Sequence, residues 1–107
     1  MSLERIFKTL LELGLLENEA KLYIHIATKG PNTVKNLADN MNINKRQMYR
    51  ILNKLQKKGL IMTDTERPAK FSGITFERAL EILIKNKEEQ AKSLESQKEE
   101  LISDFLK

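Results

Sequence analysis

Cysteine is absent from this chain, which removes disulfide frameworks, thiol nucleophiles and cysteine-ligated zinc together and suits a reducing interior. A cytoplasmic location is the expectation that follows. No apolar run approaches the roughly 20 residues of a membrane span. The N-terminal stretch Met1-Ser2-Leu3-Glu4-Arg5-Ile6-Phe7 places acid and base among its apolar residues, unlike a signal peptide, so no membrane partner is expected. Histidine occurs once, at His25, and a lone histidine is far more often structural than a ligand. No metal and no cofactor are therefore assigned. A phosphate-binding glycine loop is also missing, and no Ser or Thr stands at a recognisable triad spacing from His25 and an acid. Glu88-Glu89 and Glu99-Glu100 lie among lysines, where solvation is the default, so catalysis is not expected.

Proline and glycine are scarce, at 2 and 4 of 107 residues, and a chain of this length fits one compact domain plus one long element. The charge is unevenly spread. Residues 1–75 carry 13 Lys+Arg against 7 Asp+Glu, a net +6, whereas residues 76–107 carry 6 against 8, a net −2. A basic first part suits a polyanion, and an acidic helical tail suits protein.

Leu3, Ile6, Phe7, Leu10, Leu11 and Leu13 recur at helical spacing up to Gly14, a residue type that commonly closes a helix. A second helix runs from Glu17 to Lys29 and stops at Gly30-Pro31. Asn32-Thr33 offers a cap for a short third helix, Val34 to Asn40, and Met41-Asn42-Ile43 makes a turn. Asn44 then caps a fourth helix, Lys45 to Lys58, ended by Gly59. Helices three and four with their tight turn form a helix-turn-helix. Leu60–Thr63 and Ala69–Ile74 read as two strands around a polar turn, a β-hairpin, and Thr75 caps a last helix from Phe76 to Leu106, about 46 Å long. The expected fold is mainly α with a small β-hairpin: a winged helix-turn-helix over residues 1–75, then a long C-terminal helix over 76–107.

Met48, Ile51, Leu52 and Leu55 fall on one arc of the fourth helix and face the core. The opposite face carries Arg46, Arg50, Asn53 and Lys57, flanked by Gln47, Tyr49 and Lys54, with Lys45 at the helix start. From 44 to 58 there are six cations and no acid. Such a face suits the DNA major groove, because Arg pairs with guanine O6 and N7 and Asn or Gln with adenine N6 and N7. Arg46, Gln47 and Arg50 are the expected base readers, and Tyr49 meets a phosphate or a thymine methyl; Lys45, Lys54 and Lys57 position the duplex. Arg67 and Lys70 of the hairpin are further candidates for the minor groove or phosphates, although Glu66 weakens the field there. The plainer reading of both regions is a solvated basic surface.

The stretches Leu13-Gly14-Leu15-Leu16-Glu17-Asn18-Glu19-Ala20-Lys21-Leu22-Tyr23, Gly30-Pro31, Arg46-Gln47-Met48-Tyr49-Arg50-Ile51-Leu52, Lys58-Gly59-Leu60-Ile61 and Arg67-Pro68-Ala69-Lys70-Phe71 stand in the order found in one family. Together they resemble the N-terminal domain of TrmB-like archaeal transcriptional regulators, over nearly the whole chain. The resemblance implies a winged helix and duplex DNA as partner. Two departures stand out. Leu16 occupies the place of the family's usual Ser or Thr helix cap, and full-length members continue into a sugar-sensing domain beyond the point where this sequence ends. No small-molecule effector site is carried over.

In the last helix Leu80, Ile84, Lys87, Ala91, Leu94, Lys98, Leu101 and Phe105 alternate spacings of four and three, a heptad seam interrupted by two lysines. Leu80, Ile84, Ala91, Leu94, Leu101 and Phe105 are its expected homodimerisation residues, the alternative being a helix folded back on its own domain. The expected function is sequence-specific double-stranded DNA binding as a dimeric transcriptional regulator. An architectural DNA-binding protein with little sequence preference and a winged-helix protein-interaction module stay open beside it.

Overall fold

The computed structural model describes residues 2–107 and is built from five helices and three short strands: α1 (Leu3–Glu12), α2 (Glu17–Lys29), β1 (Asn32–Thr33), α3 (Val34–Met41), α4 (Lys45–Lys57), β2 (Ile61–Thr63), β3 (Lys70–Gly73) and α5 (Phe76–Leu106). Local chemistry accounts for most of these boundaries. Ser2, Thr33, Asn44 and Thr75 each accept the backbone N–H three residues on, capping α1, α3, α4 and α5. Leu16 has no side-chain acceptor to offer α2. Only the reciprocal half of a capping box is present there, Glu19 Oε1 accepting the Leu16 N–H at 2.8 Å.

Three helices end in the same closure. Gly14 (φ 103°), Asn42 (φ 55°) and Gly59 (φ 79°) take the left-handed conformation. The next residue in each case donates its N–H back to a carbonyl five positions earlier, Leu15 to Leu10, Ile43 to Ala38 and Leu60 to Leu55. Leu15 and Leu60 are then driven into the core.

The strands form one antiparallel sheet in the order β1-β3-β2, with Phe71 opposite both Asn32 and Thr63. The hairpin expected from sequence is present, but each strand is trimmed. Leu60 uses its N–H to close α4, while its carbonyl accepts from Ile74. The third strand, β1, was not foreseen. Its two residues read as a helix cap, a role Thr33 also fills, and no periodicity is measurable over two positions. A Cβ at Gly73 would approach the Ala27 backbone to 3.4 Å, so glycine lets α2 pack directly on β3.

A single core joins all the helices: Leu10, Leu22, Tyr23, Ile26, Leu37, Met48, Leu52, Leu55 and Leu60 are fully enclosed, and Ala79 and Leu83 bring the first turns of α5 into the same cluster. From Ile84 to Lys107 every residue is exposed, and the longest dimension of the molecule is 54 Å. Among the described residues no helix is long and apolar enough to cross a membrane.

Candidate nucleic-acid interface

The orientation of α4 is set by burial of Met48, Ile51, Leu52 and Leu55 against α2 and α3. With that stripe inward, Lys45, Arg46, Gln47, Tyr49, Arg50, Asn53, Lys54 and Lys57 are all exposed. None of these charged side chains is paired with an acid among the described residues. Lys54 and Lys57 lie in the last turn, where the helix dipole favours cations. Lys45 and Arg46 sit at the opposite end, where it does not, so their placement is not explained by helix stability.

The sixth cation of the run behaves differently. Lys58 Nζ lies 3.0 Å from Glu19 Oε1, a carboxylate with 1% exposure, and so is tied to the start of α2. Glu19 thereby holds both the first turn of α2 and the last turn of α4. This clamp was invisible in the sequence, since the two residues are 39 positions apart and only the fold brings them together.

The hairpin stands beside the first turns of α4. Asp64 organises its turn by accepting the N–H groups of Glu66 and Lys70 through one carboxylate oxygen at 3.1 and 2.9 Å. Arg67 and Lys70 are exposed. Lys45 and Tyr49 share a cleft with Pro68, Ala69 and Phe71, which Val34 and Lys35 of α3 also line. The structure thus gathers Lys45, Tyr49 and the base of the wing, while Asn53, Lys54 and Lys57 continue down α4 away from it. Lys35 was missed by the sequence reading. A cation in a first helical turn opposes the dipole, and that was the available signal.

The remaining candidates lie elsewhere. Ala91, Leu94, Leu101 and Phe105 are on the exposed part of α5, Ile84 is at its root, and Leu80 is half-buried against the domain. His25 lies on α2, its Nε2 buried without a hydrogen-bond partner. Among the described residues no group of three His, Asp or Glu is placed to hold a metal ion.

The exposed, acid-free helix and the hairpin beside it both lie within the part of the chain that a family model matches. The profile described as sugar-specific transcriptional regulator TrmB matches residues 10–77, more than half of the 107-residue chain. The chain belongs to the TrmB family. This TrmB-family chain is similar to the archaeal chromatin protein TrmBL2, whose structure is described as showing a novel mode of DNA binding. The TM-score is 0.81 and the identity 26%, over 98% of this chain and 42% of that one. The chain therefore spans less than half the length of TrmBL2. It is also similar to a protein of the thermoacidophilic archaeon Sulfolobus tokodaii, with a TM-score of 0.71 and 18% identity over 87% of this chain and 98% of that one. A MarR-like transcriptional regulator of Thermotoga maritima shares the fold at a TM-score of 0.55 and 18% identity, over 100% and 99% of the two chains. No protein of curated function matches the sequence. The fold is a winged helix; the family is one of transcriptional regulators, and the neighbours whose role is given are a chromatin protein with a described mode of DNA binding and a MarR-like transcriptional regulator.

Proposed function

We propose that the protein binds specific double-stranded DNA sequences as a homodimer and regulates transcription, with α4 entering the major groove. The observation that carries this reading is the exposed face of α4, where Arg46, Gln47, Arg50 and Asn53 present the donors that base edges accept and no acid intervenes. Arg46, Gln47 and Arg50 read bases; Lys45, Tyr49, Lys54 and Lys57 hold phosphates; Arg67 and Lys70 extend the contact from the wing. Lys35 joins the phosphate set because it lines the same cleft as Lys45. The seam of α5 joins the two copies, residues 1–75 serving as the DNA-binding part and 76–107 as the pairing part. The site lies inside the cell, in the cytoplasm, where a regulator meets its operator.

One finding favours a second reading. TrmBL2, similar over 98% of this chain, is a chromatin protein, so binding with little sequence preference is the alternative. Selection of bound duplexes from a random pool separates the two. The regulator reading expects enrichment of a pseudo-palindromic site. Arg50→Ala should relax preference at one base position of that site, at a cost of roughly 1–3 kcal/mol. Retained affinity with no enriched sequence favours the architectural reading.

A further inference from the structure

From Ile84 onward the apolar side chains of α5 stand clear of the domain, with Ile84, Leu94, Leu101 and Phe105 exposed by 45, 55, 51 and 89%, while the Lys87 side chain still reaches back beside Gly14. Among the described residues none of Lys87, Glu88, Glu95 and Lys98 makes an ion pair. In heptad terms Ile84, Ala91, Lys98 and Phe105 occupy the a positions, Leu80, Lys87, Leu94 and Leu101 the d positions, and Glu81, Glu88 and Glu95 fall at e.

We infer that two copies of this chain pair antiparallel through α5, with Ile84 against Leu101 of the partner subunit and Ala91 against Leu94 of the partner subunit. The inference rests on the dimeric reading above and adds orientation and register to it. Three features select this register. Antiparallel layers set an a residue against a d residue, so the small Ala91 meets a leucine and the large Phe105 meets Leu80; parallel pairing would set Ala91 against Ala91 and leave a gap where a well-packed seam has none.

The same register brings Lys87 beside Lys98 of the partner subunit in a layer flanked by Glu88 of one copy and Glu95 of the other, so two cations meet two acids. In a parallel pair Lys98 would face its own copy with Gln97 and Ile102 at the flanks, and the two like charges would be uncompensated. Finally, the offset sets the spacing of the DNA-binding parts. Leu80 and Leu80 of the partner subunit are separated by the rise of 25 residues, about 37 Å at 1.5 Å per residue, against about 34 Å for successive major grooves on one face of the duplex. Parallel helices would bring both domains to the same end of the coil.

Because the chain has no cysteine, single introduced thiols report proximity directly. Tagged full-length Ile84→Cys is mixed with untagged full-length Leu101→Cys and treated with a short bismaleimide; Ala91→Cys mixed with Leu94→Cys repeats the test nearer the middle, away from the domain. The untreated natural chain is sedimented in parallel. Mixed cross-links in both combinations, with little cross-linking of Ile84→Cys to itself, are expected. Self-cross-linking of Ile84→Cys or Leu101→Cys in a chain that sediments as a dimer overturns the orientation and leaves the dimer standing. A dimer with no cross-link in either mixture overturns the register. A natural chain that sediments as a monomer at tens of micromolar overturns the dimeric reading itself.

Discussion

The two ends of the molecule solve the problem of apolar side chains in opposite ways. Between Leu3 and Leu83 the chain folds most of its apolar residues inward on several elements, and eighteen of them share one cluster. Between Ile84 and Lys107 a single straight helix leaves all of its apolar residues in solvent. Helical packing, caps and closures sustain the first region without help. Within one copy the apolar residues of the second have nothing to pack against, and local propensity alone gives a segment of about 24 residues only modest helix stability. An apolar stripe that a domain does not cover is informative because single exposed apolar residues are common but ordered series of them are not.

Substitutions in the two regions should therefore separate cleanly. The largest effect is expected in the core. Leu52, fully enclosed at the centre of α4, should cost about 2–5 kcal/mol on replacement by Ala, through lost burial and the cavity left behind. Leu101→Ala should leave denaturant unfolding of the monomeric species within about 0.5 kcal/mol of the natural chain, yet shift the sedimentation equilibrium. A Leu101→Ala chain that loses several kcal/mol as a monomer would erase the distinction between the regions.

Much of this division was legible in the sequence, and the reasons can be assigned residue by residue. Thr75 and the uninterrupted pattern after it placed α5 at Phe76–Leu106, as observed, because neither glycine nor proline competes over that span. Gly14 and Gly59 marked helix ends because a left-handed residue is needed there. The inward stripe of α4 was legible because four apolar residues at helical spacing admit one orientation. What the sequence did not disclose depends on pairing at a distance. β1 exists only because β3 passes beside Asn32 and Thr33. Likewise the Glu19–Lys58 pair joins the start of α2 to the end of α4 across 39 positions, which no local pattern announces.

That clamp gives the next largest expectation. Glu19→Ala would leave the Leu16 N–H and the Lys58 ammonium without their shared acceptor, at a cost of about 1–3 kcal/mol, measured by urea unfolding. Unchanged stability would show that the pairing is incidental. Smaller again is Tyr23, whose hydroxyl donates to the Ile74 carbonyl at 2.7 Å and fixes α2 to the start of α5. Tyr23→Phe should cost about 0.5–1.5 kcal/mol. Burial pushes the Tyr23 phenol above its ordinary value of 10.0. The folded chain therefore keeps its proton where the unfolded chain releases it. Stability is full below that ordinary value and falls as pH rises from it toward the folded value. In Tyr23→Phe this alkaline loss should be reduced, and an identical alkaline limb in both proteins would refute the assignment.

The smallest expected effect concerns phosphate contacts: Lys57→Ala, which removes one contact from each copy of the dimer, should weaken all duplexes alike and lower the salt slope by about 2, whereas Lys58→Gln, whose natural ammonium is held by Glu19, should leave that slope unchanged. A Lys58→Gln slope lowered as much as that of Lys57→Ala would place Lys58 on the DNA instead.

The account as a whole rests on duplex DNA as the partner of α4, and titration of a labelled duplex at a series of salt concentrations tests it most directly. A dimer that neutralises roughly 8 phosphates should give log K falling against log salt with a slope near −7, and replacing Arg46 and Arg50 together by alanine should make that slope shallower by about 2 at most while abolishing preference for the selected site. Absence of duplex binding at about 50 mM salt, where non-specific electrostatic binding is strong, would contradict the assignment of α4 as a DNA-binding helix.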